Sequence, residues 1–278
     1  MSTGAGRRIG DLANALARRD EIGRRLAGRR LAVFLDYDGT LTPIVSRPED
    51  AVISDAMRAA VRHLAERCRV CLVTGRDRDE VARLMGVDGL VVAANHGFDI
   101  TGPAGDGLER SPVPVPDDLL AGVADRLRRE TAVIAGAVVE RKRTSVSVHY
   151  RGVAERERQR VAGLVAAAVA AHAGELRVTP GKMVLEVQPA VEWDKGRAVL
   201  HLLGALHLDG DDVAPVYLGD DVTDEDAFEA LAGRGLRVFV GRADDPEVAG
   251  RTTAADYALA SVDEVEQFLG LLAGWAGG

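Results

Sequence analysis

Five apolar residues, Leu31-Ala32-Val33-Phe34-Leu35, run without alternation and stop at Asp36-Tyr37-Asp38-Gly39-Thr40. An apolar run of this kind fits a strand covered on both faces, as strands inside a parallel sheet are. Gly39 then lets the backbone turn. The chain must therefore supply helices for two sheet faces. It also places two carboxylates at the carboxyl end of a strand, where open α/β sheets bind their ligands. One carboxylate there can attack an electrophile, and a second can exchange a proton with a leaving group. Asp-x-Asp after an apolar run can equally be a plain turn, so the rest of the chain has to decide.

The 278 residues suffice for one large domain or two modest ones, and 47% apolar residues can bury a core. Lys and Arg number 35 against 43 Asp and Glu, a net charge of −8. That balance disfavours nucleic acid and anionic membranes as general partners. The first thirty residues are rich in Arg and Asp without an apolar core segment, and no stretch is long enough to span a bilayer. A cytoplasmic location is the expectation. Cys68 and Cys71 form a C-x-x-C, but no second pair completes a zinc set. Redox C-x-x-C motifs usually open a helix. This one leads into the apolar run Val70-Cys71-Leu72-Val73, so two small core residues are the simpler reading.

Residues 8–29 carry Ile9, Leu12, Leu16, Ile22 and Leu26 at helical spacing, predicting an amphipathic amino-terminal helix. After the loop Ser46-Arg47-Pro48-Glu49-Asp50, Ser54 is a good N-cap for a helix through residue 65. The strand ending in Thr74-Gly75-Arg76 then completes a βαβ unit, so Thr74 should emerge at the same sheet edge as Asp36. A helix over 79–85 leads to the strand 90–94 and Asn95-His96-Gly97. A lone histidine there is more often structural than catalytic. Phe98-Asp99-Ile100 and Leu108-Glu109-Arg110 suggest a hairpin, and Ser111-Pro112-Val113-Pro114-Val115-Pro116 a stiff linker.

Residues 117–190 change character: a helix over 117–129, strands over 137–142 and 144–151, an Ala-rich helix over 154–173, a turn at 177–181 and a strand over 182–188. In the second strand Val146, Val148 and Tyr150 alternate with Ser145, Ser147 and His149, so one face should be buried and the other wet. Antiparallel strands with two helices make a small α+β module. Beyond it, Trp193-Asp194-Lys195-Gly196 opens a helix, and the buried strand 214–219 ends in Asp220-Asp221-Val222-Thr223-Asp224-Glu225-Asp226, with a helix expected over 227–232. So many carboxylates repel one another and call for a cation. Strands over 236–240 and 255–259 and a helix over 262–272 close the chain.

Asp36 with Asp38, Thr74, Lys195, and Asp220 with Asp221 and Asp224, in this order at strand ends, resemble the haloacid dehalogenase superfamily of phosphatases. Asp36-Tyr37-Asp38-Gly39-Thr40-Leu41, Val139-Glu140-Arg141-Lys142, His149-Tyr150-Arg151, Gly181-Lys182-Met183-Val184-Leu185-Glu186-Val187-Gln188-Pro189 and Gly219-Asp220-Asp221-Val222-Thr223-Asp224-Glu225 look more narrowly like the trehalose-6-phosphate phosphatase family. Two positions depart from the usual pattern: Thr74 stands where many relatives have Ser, and Gln188 where many have Arg or Lys.

The resemblance implies an α/β fold, a Rossmann-like parallel-sheet hydrolase core with an inserted α+β cap domain. Its parts would be core over 30–113 and 191–278 and cap over 114–190, with the amino-terminal helical segment over 1–29 outside the resemblance. It further implies Mg²⁺-dependent hydrolysis of trehalose 6-phosphate to trehalose and phosphate. Asp36 would be the nucleophile, forming an aspartyl-phosphate, and Asp38 the acid and then the base. Thr74 and Lys195 would hold the phosphoryl oxygens. Asp36, the backbone carbonyl of Asp38, and Asp220 would bind the metal, with Asp221 and Asp224 orienting its ligands. Glu140, Lys142 and Glu186 of the cap are assigned to the sugar hydroxyls, and Arg76, His96 and Gly97 complete the substrate-binding set. Cap closure would exclude bulk water. The expected partner is a small sugar phosphate, with a trehalose-phosphate synthase a further candidate and the chain a monomer or weak homo-oligomer. The alternatives are a phosphatase for sucrose-phosphate or mannosyl-phosphoglycerate, and a non-catalytic sugar-phosphate sensor.

Overall fold

The computed structural model describes residues 6–45, 47–108, 110–181, 183–246 and 248–277. Ser46, Glu109 and Lys182, named above in a loop, a hairpin arm and a cap motif, lie outside them. The chain divides into two compact units, Met1–Arg110 with Trp193–Gly278, and Ser111–Glu192.

The first unit is built on a seven-stranded sheet in the order Tyr257–Leu259, Leu236–Val240, Val213–Gly219, Arg30–Leu35, Arg69–Val73, Val91–Ala94 and Asp99–Thr101. All neighbours are parallel except the last pair. From Arg30–Leu35 the chain first winds outward through Arg69–Val73 and Val91–Ala94. It later returns to the other side through Val213–Gly219. The order therefore reverses between Arg30–Leu35 and Val213–Gly219, and at such a switch point a crevice opens at the carboxyl ends of the strands. Leu35 pairs with Leu218 there, and the Asp36 N–H donates to the Leu218 carbonyl at 3.0 Å. Asp36 and Asp220 thus leave adjacent strands at the same edge.

The unalternating run 31–35 is buried on both sides, as expected. Leu31, Val33 and Leu35 join one core with the helices Asp55–Ala65 and Val262–Ala276. Ala32 and Phe34 join the other with Lys195–Ala205 and Val222–Ala230. Cys71 is buried in its strand and both thiols are free, with burial pushing the Cys68 thiol up to about 12 and that of Cys71 higher still. Neither is poised as a thiolate nucleophile or metal ligand.

Several expectations need correction. The helix predicted over 8–29 is real only at Arg19–Leu26. Before it, Arg7–Arg8 pair with Thr252–Thr253. Residues 13–15 run along the sheet edge, where Ala15 N–H donates to the Ala258 carbonyl at 2.9 Å and Ala258 N–H to Ala13 at 3.0 Å. Asn14 Oδ1 then accepts from Leu16 N–H at 2.9 Å and ends the extended stretch. An edge strand with open donors and acceptors outcompetes a local helix, and the segment blunts that edge. Asp99–Thr101 pairs with Val91–Ala94, and the expected partner arm reaches it at Arg110, whose carbonyl accepts from Ile100 N–H at 2.8 Å. The helix expected over 227–232 starts earlier, as Val222–Ala230, because Asp224 accepts the N–H groups of Asp220 and Asp221 at 3.0 and 2.9 Å and caps it.

The second unit is a four-stranded antiparallel sheet in the order Val138–Arg141, Val146–His149, Val184–Pro189 and Leu176–Gly181, with helices Asp117–Thr131 and Glu155–Ala170. The turn read at 177–181 is a strand. Pro180 is tolerated in it because the strand lies at the sheet edge, where a missing N–H is cheap. Val146, Val148 and Val187 on one face pack with Leu120, Leu127, Val161 and Val165 of the helices. The opposite face carries Glu140, Ser147, Glu186 and Thr179, which the register lines up in a row across all four strands. Among the described residues no helix is long and apolar enough to cross a membrane.

Candidate active site

The switch point gathers charges that ordinarily avoid burial. Asp36, Lys195 and Asp224 are 4%, 3% and 0% exposed. Lys195 Nζ donates to Asp36 Oδ1 at 2.9 Å and to Asp224 Oδ1 at 2.8 Å. Lys195 opens the helix Lys195–Ala205, whose N-cap Asp194 accepts from Arg197 N–H at 2.7 Å. A cation at a helix N-terminus opposes the dipole, so local propensity does not account for it. Its two carboxylates do: burial works against the ammonium, but Asp224 and Asp36 overcome it and its pKa is raised.

Asp224 is the hub. Its Oδ1 takes Lys195 and the Tyr217 hydroxyl, at 2.6 Å, and its Oδ2 takes the N–H groups of Asp220 and Asp221. Donor oxygens of Asp36, Asp220 and Asp224 lie within 4.8 Å of one another, a grouping able to hold a metal ion. The three are not equivalent, because every oxygen of Asp224 is already occupied by donors. Asp220 Oδ1 is buried and has no hydrogen-bond partner among the described residues. A buried carboxylate oxygen left open costs free energy unless something cationic meets it. Burial, then repulsion from Asp36 and Asp224, pushes the Asp220 pKa up to about 9. Burial, with repulsion from Asp224 and Asp38 set against Lys195, raises that of Asp36 to about 7. Gly39 has φ +78°, and a Cβ there would run into the Asp220 carboxylate, so only glycine leaves this acid its place. The residues fit a hard divalent cation bound through Asp36 and Asp220, with Asp224 bracing both Lys195 and the Asp220 backbone.

Other site residues fall in different places. Asp38 stands at the rim with its side chain 46% exposed, and both its oxygens accept from Arg76, each at 2.7 Å. Arg76, expected to touch substrate, places its guanidinium on Asp38 and Glu80, 5.3 Å from the Tyr37 ring centre. Asp221, expected to orient ligands, is exposed at the N-cap of Val222–Ala230 and meets Asp224 through its backbone N–H. Thr74 is buried, its Oγ1 accepts from Arg76 N–H at 3.2 Å and its carbonyl from His96 N–H at 2.8 Å, so the Thr74 turn and Asn95-His96-Gly97 are one backbone-linked cluster. Gly97, at φ +91°, is packed where a Cβ would meet Ala198 of the Lys195 helix, a packing role in addition to any substrate contact.

In the second unit Glu140, Lys142 and Glu186 come together on the polar sheet face. Lys142 Nζ lies 3.6 Å from Glu186 Oε1, and His149 Nε2 lies 2.9 Å from Glu140 Oε2. That hydrogen bond, opposed by burial, holds the Glu140 carboxyl below its usual range. The face expected to be wet is so only in part: His149 is half-exposed, whereas Ser145 and Ser147 are 3% and 1% exposed, with their hydroxyls directed at Glu186. Gln188, at the departing position, donates from Nε2 to Thr179 Oγ1 within the sheet. Tyr217, Ser145, Ser147 and His149 are the interacting residues that the sequence reading left without a role. Alternation marked the last three as one face, whereas Tyr217 looked like one more core residue of a buried strand.

Comparison with known proteins places this arrangement. A family described as trehalose-phosphatase matches residues 34–263. A probable trehalose-phosphate phosphatase of Oryza sativa is 40% identical over 267 residues, covering 94% of this chain and 71% of that protein. An uncharacterized glycosyl hydrolase of Mycobacterium tuberculosis is 42% identical over 269 residues, but the chain, though 95% covered, spans only 20% of that protein's length. The C-terminal domain of a Candida albicans trehalose-6-phosphate phosphatase superposes with a TM-score of 0.74 at 25% identity, covering 95% of this chain and 99% of that one. Sequence and fold agree with the buried carboxylate cluster, and the chain belongs to the trehalose-phosphatase family.

Proposed function

We propose that the chain hydrolyses trehalose 6-phosphate to trehalose and inorganic phosphate by way of an aspartyl-phosphate. The observation that carries this reading is the buried Asp36 carboxylate at the switch point, paired with Lys195 beside an Asp220 oxygen that has no hydrogen-bond partner among the described residues. Asp36 attacks phosphorus, its oxygen forming a bond as the sugar oxygen leaves. Lys195 and the Thr74 hydroxyl hold phosphoryl oxygens, where charge gathers during transfer. Asp38 gives a proton to the departing sugar oxygen and later takes one from the water that opens the acyl-phosphate. To do so its carboxylate must exchange the Arg76 fork for the substrate. Mg²⁺ held by Asp36, Asp220 and the Asp38 carbonyl would supply the positive charge that lets one anion approach another. In the second unit Glu140, Lys142 and Glu186 recognise sugar hydroxyls. A charged polar face of this kind rejects ligands that leave it unpaired.

The direct test is phosphate release from trehalose 6-phosphate, sucrose 6-phosphate, glucose 6-phosphate and p-nitrophenyl phosphate, each with Mg²⁺ and with EDTA. The expected result is Mg²⁺-dependent release that strongly prefers trehalose 6-phosphate. Preference for sucrose 6-phosphate would keep the chemistry and overturn the sugar assignment. Release from none of them would favour a sensor.

Metal binding has a separate signature. The Asp36 and Asp220 pKa values are raised, from 3.8 to about 7 and about 9. The folded protein therefore holds protons that the unfolded chain releases. That proton-linked stability is fully present below pH 3.8 and drains as the pH climbs through about 7 and then about 9. A bound divalent cation replaces those protons, so Mg²⁺ should raise the melting temperature more at pH 8 than at pH 5.5. The effect should vanish in Asp220→Asn. A larger shift at pH 5.5, or one that survives in that variant, would place the cation elsewhere.

A further inference from the structure

One of the two inner strands of the second unit, Val146–His149, runs between the strand that carries Glu140 and the strand that carries Glu186. Antiparallel register sets Glu140 opposite Ser147, and Ser147 opposite Glu186. Ser145 Oγ donates to Glu186 Oε1 at 2.7 Å, and Ser147 Oγ approaches the same oxygen at 3.4 Å, with Lys142 Nζ at 3.6 Å. On the far side His149 Nε2 donates to Glu140 Oε2 at 2.9 Å. The intervening residues of the strand, Val146 and Val148, point the other way and are fully buried in the helix-backed core. The valines hold the strand to its helices, so the core does not need the polar residues between them. Ser145 and Ser147 are nevertheless buried, and a buried hydroxyl has to find a partner. Here the partner is an acid that the reaction is read as using.

Resting on the reading of Glu140 and Glu186 as sugar contacts, we infer that Ser145, Ser147 and His149 are positioning residues. They fix the two carboxylates before a sugar arrives, Ser145 and Ser147 for Glu186 and His149 for Glu140. A free glutamate loses rotamer freedom when it hydrogen-bonds a ligand, and one already held loses little. A hydrogen bond to a carboxylate is also among the stronger ones available to a serine. The three side chains therefore raise affinity for the polyhydroxylated part of the substrate without touching phosphorus.

The test compares Ser145→Ala, His149→Leu, His149→Gln and Glu186→Gln with the unmodified protein. Trehalose 6-phosphate and p-nitrophenyl phosphate are the substrates, and a melting curve is recorded for each variant. Ser145→Ala and His149→Leu are expected to raise KM for trehalose 6-phosphate roughly 5- to 20-fold, with p-nitrophenyl phosphate turnover within about twofold of the unmodified protein. His149→Gln keeps a donor at similar reach and should recover most of the loss. Equal losses on both substrates would mean that the serine serves the fold, and the inference fails. If Glu186→Gln impairs trehalose 6-phosphate alone while Ser145→Ala and His149→Leu impair nothing, positioning is overturned and the sugar reading stands. If Glu186→Gln is itself without selective effect, the sugar reading falls and takes the inference with it.

Discussion

Asp36→Asn is expected to lower turnover of trehalose 6-phosphate by roughly 10⁴-fold or more while leaving the fold intact. The carboxamide is isosteric but has no anionic oxygen with which to form an acyl-phosphate. Its Oδ1 can still accept from Lys195, which reaches Asp36 at 2.9 Å in the unmodified protein. The substitution also removes one of three crowded acids whose mutual repulsion and burial raise Asp36 to about 7 and Asp220 to about 9. Without added metal, the variant should therefore be no less stable than the unmodified protein at pH 8. Turnover assays and chemical unfolding on the same preparations separate the two effects. Activity above about 1% with an unchanged unfolding midpoint would show that Asp36 is not the nucleophile. Lost activity together with a large fall in stability would point to misfolding instead.

Part of this site can be read directly from the order of residues. Leu31 to Leu35 fit a strand buried on both faces, and such a strand brings its own consequence: Asp36 emerges at the carboxyl edge of a parallel sheet. The acids from Asp220 onward end a second such strand, so their meeting with Asp36 follows from topology. What lies beyond local pattern was harder to see. Pro180-Gly181 looks like a turn in any window of sequence, and only its place at a sheet edge makes a strand of it. Residues 13–15 have helical spacing, but the bare edge beside Tyr257–Leu259 captures them. Arg76 has the chemistry of a phosphate ligand, and no local pattern announces that it also forks onto Asp38, 38 residues away in sequence. Tyr217 cannot be told from a core aromatic until Asp224 is placed against its hydroxyl. In each case the missing information is which distant group occupies a side chain's reach. Periodicity carries none of it.

Lys195→Met tests how the cluster is held together. Methionine fills nearly the same volume, so little cavity is created, but Asp36 and Asp224 lose the cation that reaches them at 2.9 and 2.8 Å. Breaking a buried ion pair by removing one partner leaves an uncompensated charge, and the cost is commonly about 3–5 kcal/mol. That cost must depend on pH, and its sign follows from the carboxyls. The folded-state pKa of Asp36 is already raised, chiefly by burial, and without Lys195 it rises further, so a proton bound there in the folded state relieves the repulsion. The deficit of the variant should be small near pH 4 and should grow as the pH climbs through about 7, where Asp36 otherwise ionises. Mg²⁺ should recover part of the stability at pH 8, because it brings positive charge to the same oxygens. It should not recover turnover if Lys195 holds a phosphoryl oxygen as proposed. Urea unfolding at pH 5 and pH 8, with Mg²⁺ and with EDTA, measures all of this in one series. A deficit that is the same at both pH values would mean that Lys195 contributes through packing alone. The triad with Asp36 and Asp224 would then be electrostatically neutral in its effect on folding, and burying three acids at the switch point would need another source of compensation.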